Sequence, residues 1–277
     1  MCVIRHESSP ESFNRSVLNL ALRIGRIQIR PMQRVIVTGG ATNIGRAITE
    51  AFLAQGANVV VGQLDAASAA PLIAQHGDQV SVLEFDAGDA MQCRQFVDQA
   101  AEKLGGLDVL VNNAAITGVK ALTTLAELSS DDFDRMTKVN LGGPIFCAQA
   151  AVPHFREAGG GVIVNISSVN AFKPQAGGMV YAASKAALGS VTQSMARELA
   201  ADGIRVVAVA PGDIQVDTSA ASAKIMCERG LDSEIAEQTP LGQGEPNDVA
   251  ETVVFLGSGK AKFVTGTTWI VDGGLLA

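Results

Sequence analysis

Tyrosine and tryptophan are nearly missing from this chain of 277 residues, which holds one of each, Tyr181 and Trp269, beside ten phenylalanines. Aromatic bulk in the core therefore falls to Phe, and the lone tyrosine draws interest for its hydroxyl. Cysteine is sparse as well. Cys2, Cys93, Cys147 and Cys227 lie far apart without a C-x-x-C pair, which excludes a disulfide framework and an ordinary zinc site and points to reduced thiols in a cytoplasmic protein. His6, His76 and His154 show no ligand spacing, so no metal centre is expected. No stretch approaches the roughly 20 apolar residues that cross a bilayer, so no membrane partner is expected. Positive charge is short too. The net charge of −7 and the lack of a Lys/Arg cluster argue against a nucleic-acid partner. What is plentiful is apolar material: 47% hydrophobic against 18% charged residues is enough for a sizeable core.

Residues 1–31 differ from the rest. They carry Arg5, Arg15, Arg23, Arg26 and Arg30 against Glu7 and Glu11, with an apolar stretch around Val17–Ile24 broken by Asn19 and Arg23. They form an N-terminal extension, readable as a targeting peptide, a loosely attached arm or residues preceding the true start at Met32. Residues 32–277 form a single domain. There, β-branched runs at 34–38, 58–62, 79–84, 107–111, 161–166, 204–210 and 267–271 alternate with helical patterns near 44–55, 89–104, 130–157, 175–201 and 246–257. Continuous apolar strands joined by helices imply a parallel sheet covered on both faces. With right-handed crossovers, the α/β fold predicted is a Rossmann-type, doubly wound sheet of about seven strands.

Between the first strand and the first helix runs Thr38-Gly-Gly-Ala-Thr-Asn-Ile-Gly45. Glycines there let the backbone turn sharply and approach a pyrophosphate, whose charge the helix N-terminus favours. Such a turn also occurs as a plain connection, but its place between a strand and an amphipathic helix favours dinucleotide binding. Asn43 stands where glycine would be easier, and Asn tolerates left-handed dihedrals. The second strand ends at Gln63, Leu64 and Asp65, with no cation there or at Thr42 to compensate a 2′-phosphate. NAD is therefore expected over NADP.

Tyr181-Ala-Ala-Ser-Lys185 places a phenol and an ammonium one helical turn apart on one face. A phenol with a pKa near 10 is a poor base at neutral pH, and a fixed positive charge beside it favours phenolate. Ser168, thirteen residues before Tyr181, ends a strand where such sheets bind ligands, and its hydroxyl can polarise a substrate oxygen. Serine hydrolase chemistry is a poor rival, because neither a histidine nor a G-x-S-x-G elbow accompanies it.

Together these residues resemble the short-chain dehydrogenase/reductase family in its compact single-domain form, from about Gln33 to the C-terminus. The resemblance rests on the glycine turn, Asn112-Asn-Ala-Ala115, Asn140, Ser168, Tyr181, Lys185, Pro211-Gly212 and Val271-Asp-Gly-Gly274. It implies a catalytic tetrad of Asn140, Ser168, Tyr181 and Lys185 that interconverts an alcohol and a carbonyl. It also implies a dinucleotide site of Gly39, Asn43, Ile44, Gly45, Gln63, Asp86, Ala87, Asn113, Ala114, Pro211, Gly212 and Ile214, together with Tyr181 and Lys185. In the family the carbonyl of the Asn140 position holds a water that extends a proton relay. Here Pro144, four residues on, has no N–H to return to that carbonyl. Three positions depart from the family pattern: Asn43 and Ala115 replace glycines, and Val216 replaces a threonine that bonds the nicotinamide, with Thr218 near enough to substitute.

The segment from Asp213 to Pro240 has the length of a lid, with Ile225, Met226, Leu231 and Ile235 as an apolar face. The other walls, Ile116–Val119 and Asn170–Gln175, do not select among small alcohols, sugars, steroids and acyl chains. Reduction of 3-oxoacyl groups on a carrier protein is the chief rival activity. Related reductases of that kind present cations where this chain has Gly159-Gly-Gly161 and Asp202. A noncatalytic dinucleotide-binding redox sensor is the rival of another class. Helix 175–201, with Leu188, Val191, Met195 and Leu199 as its core stripe and small residues at Ala183, Ala187 and Ser190, is expected to join the last strand in forming a homotetramer, as is common in the family.

Overall fold

The computed structural model describes residues 34–217, 219–230 and 238–277. The N-terminal extension, Thr218, Leu231 and Ile235 lie outside the described residues. Seven parallel strands, β1 (Arg34–Thr38), β2 (Asn58–Gln63), β3 (Val80–Glu84), β4 (Val109–Asn112), β5 (Gly161–Ile166), β6 (Ile204–Pro211) and β7 (Thr268–Val271), pair in the order β3-β2-β1-β4-β5-β6-β7. The order reverses between β1 and β4, and ligands bind such sheets at that crevice.

Alternate side chains of each strand feed two cores. Val35, Val37, Val59 and Val61 face α1 (Asn43–Ala54), where Ile48 and Phe52 are wholly buried, and α8 (Pro246–Gly257), with Val249 and Val253. Ile36, Val60, Leu110 and Ile163 face α3 (Ala90–Leu104), α5 (Gly143–Ala158) and α6 (Met179–Leu199). Helix ends follow local chemistry: the Asp89 carboxylate caps α3 by accepting from the amides of Met91 and Gln92, and Gly105 ends it with φ of 68°.

Four elements differ from expectation. Short α2 (Ala70–His76), with Pro71 in its first turn, was not foreseen, and α7 (Ser219–Glu228) replaces part of the expected loop. The single helix expected over 130–157 is split into α4 (Ser130–Thr137), a π turn over Lys138–Gly142, and α5. Pro144 lacks the N–H that an unbroken α-helix needs at that point. β5 closes at Ile166, so Ser168 caps a 3-10 turn (Val169–Ala171) beyond the strand instead of ending it.

Candidate active site

The glycine turn is shaped by contacts that no side chain survives. A Cβ on residue 45 would sit 2.0 Å from the Gly39 carbonyl oxygen and 2.5 Å from Asn113 Nδ2, and Gly39 itself has φ of 63°. Asn43 adopts φ of 50°, the one positive φ outside glycine among the described residues. Its side-chain oxygen accepts from the Asp217 amide at 3.0 Å, tying the turn to the segment that leads into α7. Across the crevice, Asn113 Nδ2 donates to the carbonyls of Thr38 (3.0 Å) and Gly39 (2.9 Å). Thr38 Oγ1 accepts from the amides of Asn113 and Ala114. These bonds close the side of the turn away from ligand and leave the first amides of α1 at the cleft, a cradle suited to a pyrophosphate.

A cleft of about 870 Å³ runs from Gln63, Asp86 and Ala87, past the glycine turn, Asn113 and Ala114, to Ser168, Tyr181 and Lys185. Pro211, Gly212 and Ile214 form its far wall. The structure thus brings every residue expected to hold the dinucleotide to one cavity. Asn140 stands just behind it, with no exposed surface. Burial pushes the Asp86 carboxyl up, but hydrogen bonds from Arg135 (2.9 Å) and the Gly88 amide, with the Arg135 charge, leave it below its ordinary value. Gln63 Oε1 is buried at the end of β2 with no donor among the described residues, free to accept from a ribose hydroxyl.

Tyr181 sits in the first turn of α6 with Lys185 one turn on. Lys185 is only 3% exposed, and its Nζ donates to the Ile166 carbonyl at 2.8 Å and lies 5.8 Å from the Tyr181 ring centroid. Burial lowers the Lys185 pKa to about 8. Burial also raises the phenol of Tyr181 above its ordinary value, with the neighbouring Ser168 hydroxyl pulling the other way. The expected acidification by a neighbouring ammonium is therefore not a property of the chain alone. The ammonium spends a hydrogen bond on a backbone carbonyl, and loss of solvent disfavours both charged forms.

The Asn140 side chain clamps the backbone of Ile116, accepting from its amide at 2.7 Å and donating to its carbonyl at 3.1 Å. It also donates to Ser184 Oγ at 3.3 Å, and that hydroxyl donates to the Tyr181 carbonyl at 2.7 Å. Sequence reasoning had attended only to the Asn140 backbone and missed this clamp, along with Thr38, Ser167 and Ser184. Ser167 Oγ donates to the Lys185 carbonyl at 3.0 Å. Such pairings join residues far apart in sequence, and no local spacing announces them.

Of the expected lid face, Met226 is buried and lines the cleft from α7. Val216 lines it too, packed against the core. His76 and His154 lie away from the cleft, beside Glu50 and Asp98. Among the described residues no group of His, Cys, Asp and Glu is arranged to hold a metal, and no helix is long and apolar enough to cross a membrane.

Comparison with known proteins agrees with this geometry. The family profile described as Enoyl-(Acyl carrier protein) reductase matches residues 39–276. A Thermotoga maritima protein named Uncharacterized oxidoreductase is 37% identical over 249 residues, 87% of this chain and 94% of its own. The 3beta-hydroxysteroid dehydrogenase 2 of Eggerthella lenta is 33% identical over 247 residues, covering 87% and 94%. The 3-oxoacyl-(acyl-carrier-protein) reductase of T. maritima is 35% identical over 245, covering 87% and 96%. Among solved structures, the 3-ketoacyl-(acyl-carrier-protein) reductase from Brucella melitensis complexed with NADH superposes with a TM-score of 0.80 at 30% identity, covering 88% of this chain and 98% of that one. A tight glycine turn at the switch point of a seven-stranded parallel sheet, with relatives of this kind along most of its length, makes this chain a member of the short-chain dehydrogenase/reductase family, an oxidoreductase acting on CH–OH groups with a nicotinamide dinucleotide.

Proposed function

We propose that the protein interconverts a secondary alcohol and a ketone, with Tyr181 carrying the proton. The observation that supports this most is the meeting of the Ser168 hydroxyl, the Tyr181 phenol and the Lys185 ammonium at the cleft that the glycine turn also lines. A bound nicotinamide ring supplies the acceptor or donor of hydride. The chain does the rest. In the oxidative direction the alcohol O–H bond breaks towards the Tyr181 phenolate while the carbinol C–H bond gives up hydride, and a carbonyl remains. Ser168 holds the substrate oxygen against the phenol. Lys185 has two N–H donors beyond the one spent on Ile166, suited to ribose hydroxyls. The positive charge of an oxidised nicotinamide, in a site poor in water, favours the phenolate that the isolated chain disfavours. Asn140 fixes Ile116, a wall of the cleft, and the π turn frees its carbonyl region for a water that resupplies protons.

NAD is the proposed cofactor, because Gln63 and Leu64 offer a ribose hydroxyl an acceptor and a 2′-phosphate no cation. Tyr181→Phe should abolish turnover, by about a thousandfold or more, while dinucleotide affinity stays within about threefold. A screen of secondary alcohols with NAD and NADP in parallel, followed by reduced-nicotinamide absorbance and fluorescence, measures both. Turnover surviving in that variant overturns the assignment.

Two relatives named as carrier-protein reductases favour a second reading, reduction of a 3-oxoacyl thioester. The surface weighs against it: Arg156, the cation beside the Gly159–Gly161 turn, is tied to Asp202 at 2.8 Å. We also read the protein as a cytoplasmic homotetramer whose catalytic unit is residues 32–277. Buried free thiols at Cys93 and Cys147 suit a reducing compartment. Exposed Ala183 and Ser190 on α6, half-exposed Ile270 on edge strand β7 and fully exposed Phe263 beside it suit subunit contacts.

A further inference from the structure

Beneath the cleft, on the face of the sheet covered by α5 and α6, lies a row of buried polar groups with no part in proton transfer. Asn112 and Asn165 are register partners at the ends of β4 and β5. Asn112 Nδ2 donates to Asn165 Oδ1 at 2.9 Å, Asn165 Nδ2 donates to Thr192 Oγ1 at 2.9 Å, and the Thr192 hydroxyl donates to the Leu188 carbonyl at 2.8 Å. At the other end Asn112 Nδ2 reaches the Pro144 carbonyl, in the first turn of α5, at 3.3 Å. Asn112, Asn165 and Thr192 are 3%, 1% and 0% exposed, in a layer otherwise made of Leu110, Cys147, Ile163 and Ala196.

Amides are an expensive way to fill such a layer, since each unpaired polar atom would cost stability that leucine or valine would not. What they add is direction. Apolar contact lets a helix slide on a sheet, whereas a hydrogen bond fixes its height. The elements joined are those that carry the chemistry. α6 bears Tyr181 and Lys185, β5 leads to Ser168, and α5 follows the π turn that holds Asn140. Two other ties between β5 and α6, Lys185 Nζ to Ile166 and Ser167 Oγ to the Lys185 carbonyl, involve Lys185 itself. The Asn165–Thr192 tie alone of the three is made by groups remote from ligand. Asn112 Oδ1 has no donor among the described residues, so Asn165 is the amide engaged at both ends.

We propose that Asn165, acting through Thr192 and Asn112, is a positioning residue for the reaction: it sets the height of α6 against the end of β5, and thereby the meeting of the Ser168 hydroxyl with the Tyr181 phenol. The proposal rests on Tyr181 being the proton carrier, as argued above. A displacement of about 1 Å at such a centre costs about a hundredfold in rate.

The test uses full-length Asn165→Leu, Thr192→Val and Thr192→Ser proteins and two measurements. The first is ultraviolet titration of the phenol without ligand, which reports on Tyr181 alone because it is the only tyrosine. Moving the Ser168 hydroxyl away from the phenol should raise the midpoint by about half a pH unit or more in Asn165→Leu and Thr192→Val, and Thr192→Ser should restore it. The charged groups lining the cleft, Asp86, Lys120, Arg135, Lys185 and Asp213, are the same in all of these proteins. The second is turnover, in which kcat should fall about tenfold to a hundredfold in the first two variants, with dinucleotide affinity within about threefold and recovery in Thr192→Ser. A wild-type phenol midpoint in folded Asn165→Leu or Thr192→Val overturns the proposal, as does a kcat loss that Thr192→Ser does not recover. Should Asn165→Leu fail to fold, Thr192→Val, which exchanges one hydroxyl for a methyl, decides. Wild-type protein that oxidises no alcohol would sink the proposed function instead, leaving the phenol titration to judge the positioning role.

Discussion

Lys185 on α6 and Arg205 in β6 are both cations withdrawn from water, and the fold treats them differently. Arg205 donates to three backbone carbonyls, those of Leu256 and Ser258, where α8 ends, and that of Val264 beyond it. Burial lowers its pKa to about 10, so it remains charged at every physiological pH. Lys185 donates to one carbonyl, faces the cleft with its other N–H groups, and is lowered to about 8. A buried cation bonded only to backbone carbonyls, two of them at a helix end whose dipole favours it, is scaffold. One left with donors to spare, and a pKa near the working pH, is kept for a ligand.

The contrast can be broken by removing each charge in turn. Lys185→Met should lower kcat/KM by about a thousandfold, measured by steady-state kinetics, while its unfolding free energy in urea stays level or rises by up to about 2 kcal/mol, because a desolvated charge is gone. A loss of stability would place Lys185 with the scaffold. Arg205→Met should do the reverse, losing about 2–3 kcal/mol as three carbonyls lose a charged donor, with kcat/KM per folded molecule within about twofold. The smallest effect is on pH. The Lys185 pKa is lower folded than unfolded, so between about 8 and 10.5 the unfolded chain binds more protons and stability rises with pH. The penalty for burying the ammonium is fully present below pH 8 and relieved above it. Urea denaturation from pH 7.5 to 9.5 should show that rise in wild type and not in Lys185→Met. The Tyr181 phenol, held above its ordinary value, pulls the opposite way only at higher pH.

Most of the scaffold was legible because parallel strands buried on both faces are continuous β-branched runs, and all seven fall where those runs lie. The turn that lines the cleft was legible because glycine and asparagine mark backbone geometry that other residues resist, as at Gly45 and Asn43. What escaped was either weakly patterned or wholly tertiary. α7 is a run of Ser and Ala with little amphipathic contrast, and α2 hides behind a proline. On α6 the expected stripe named Val191 and Met195, yet Thr192 and Ala196 are the residues buried with Leu188 and Leu199. A threonine enters the core there because Asn165 waits beneath it. The direction of the Tyr181 shift escaped for a similar reason: a lysine one turn away is visible in sequence, but the removal of both groups from water is not.

The chain's poverty in ring chromophores leaves it with two separable optical reporters. Its single indole, Trp269, lies on β7 with Phe255 5.6 Å away, at the open edge of the sheet. Its single phenol lies in the cleft. Emission excited at the red edge of the spectrum therefore reports on that edge, and absorbance of ionised phenol reports on the cleft. The proposed assembly and the proposed chemistry can be tested side by side in one unlabelled sample.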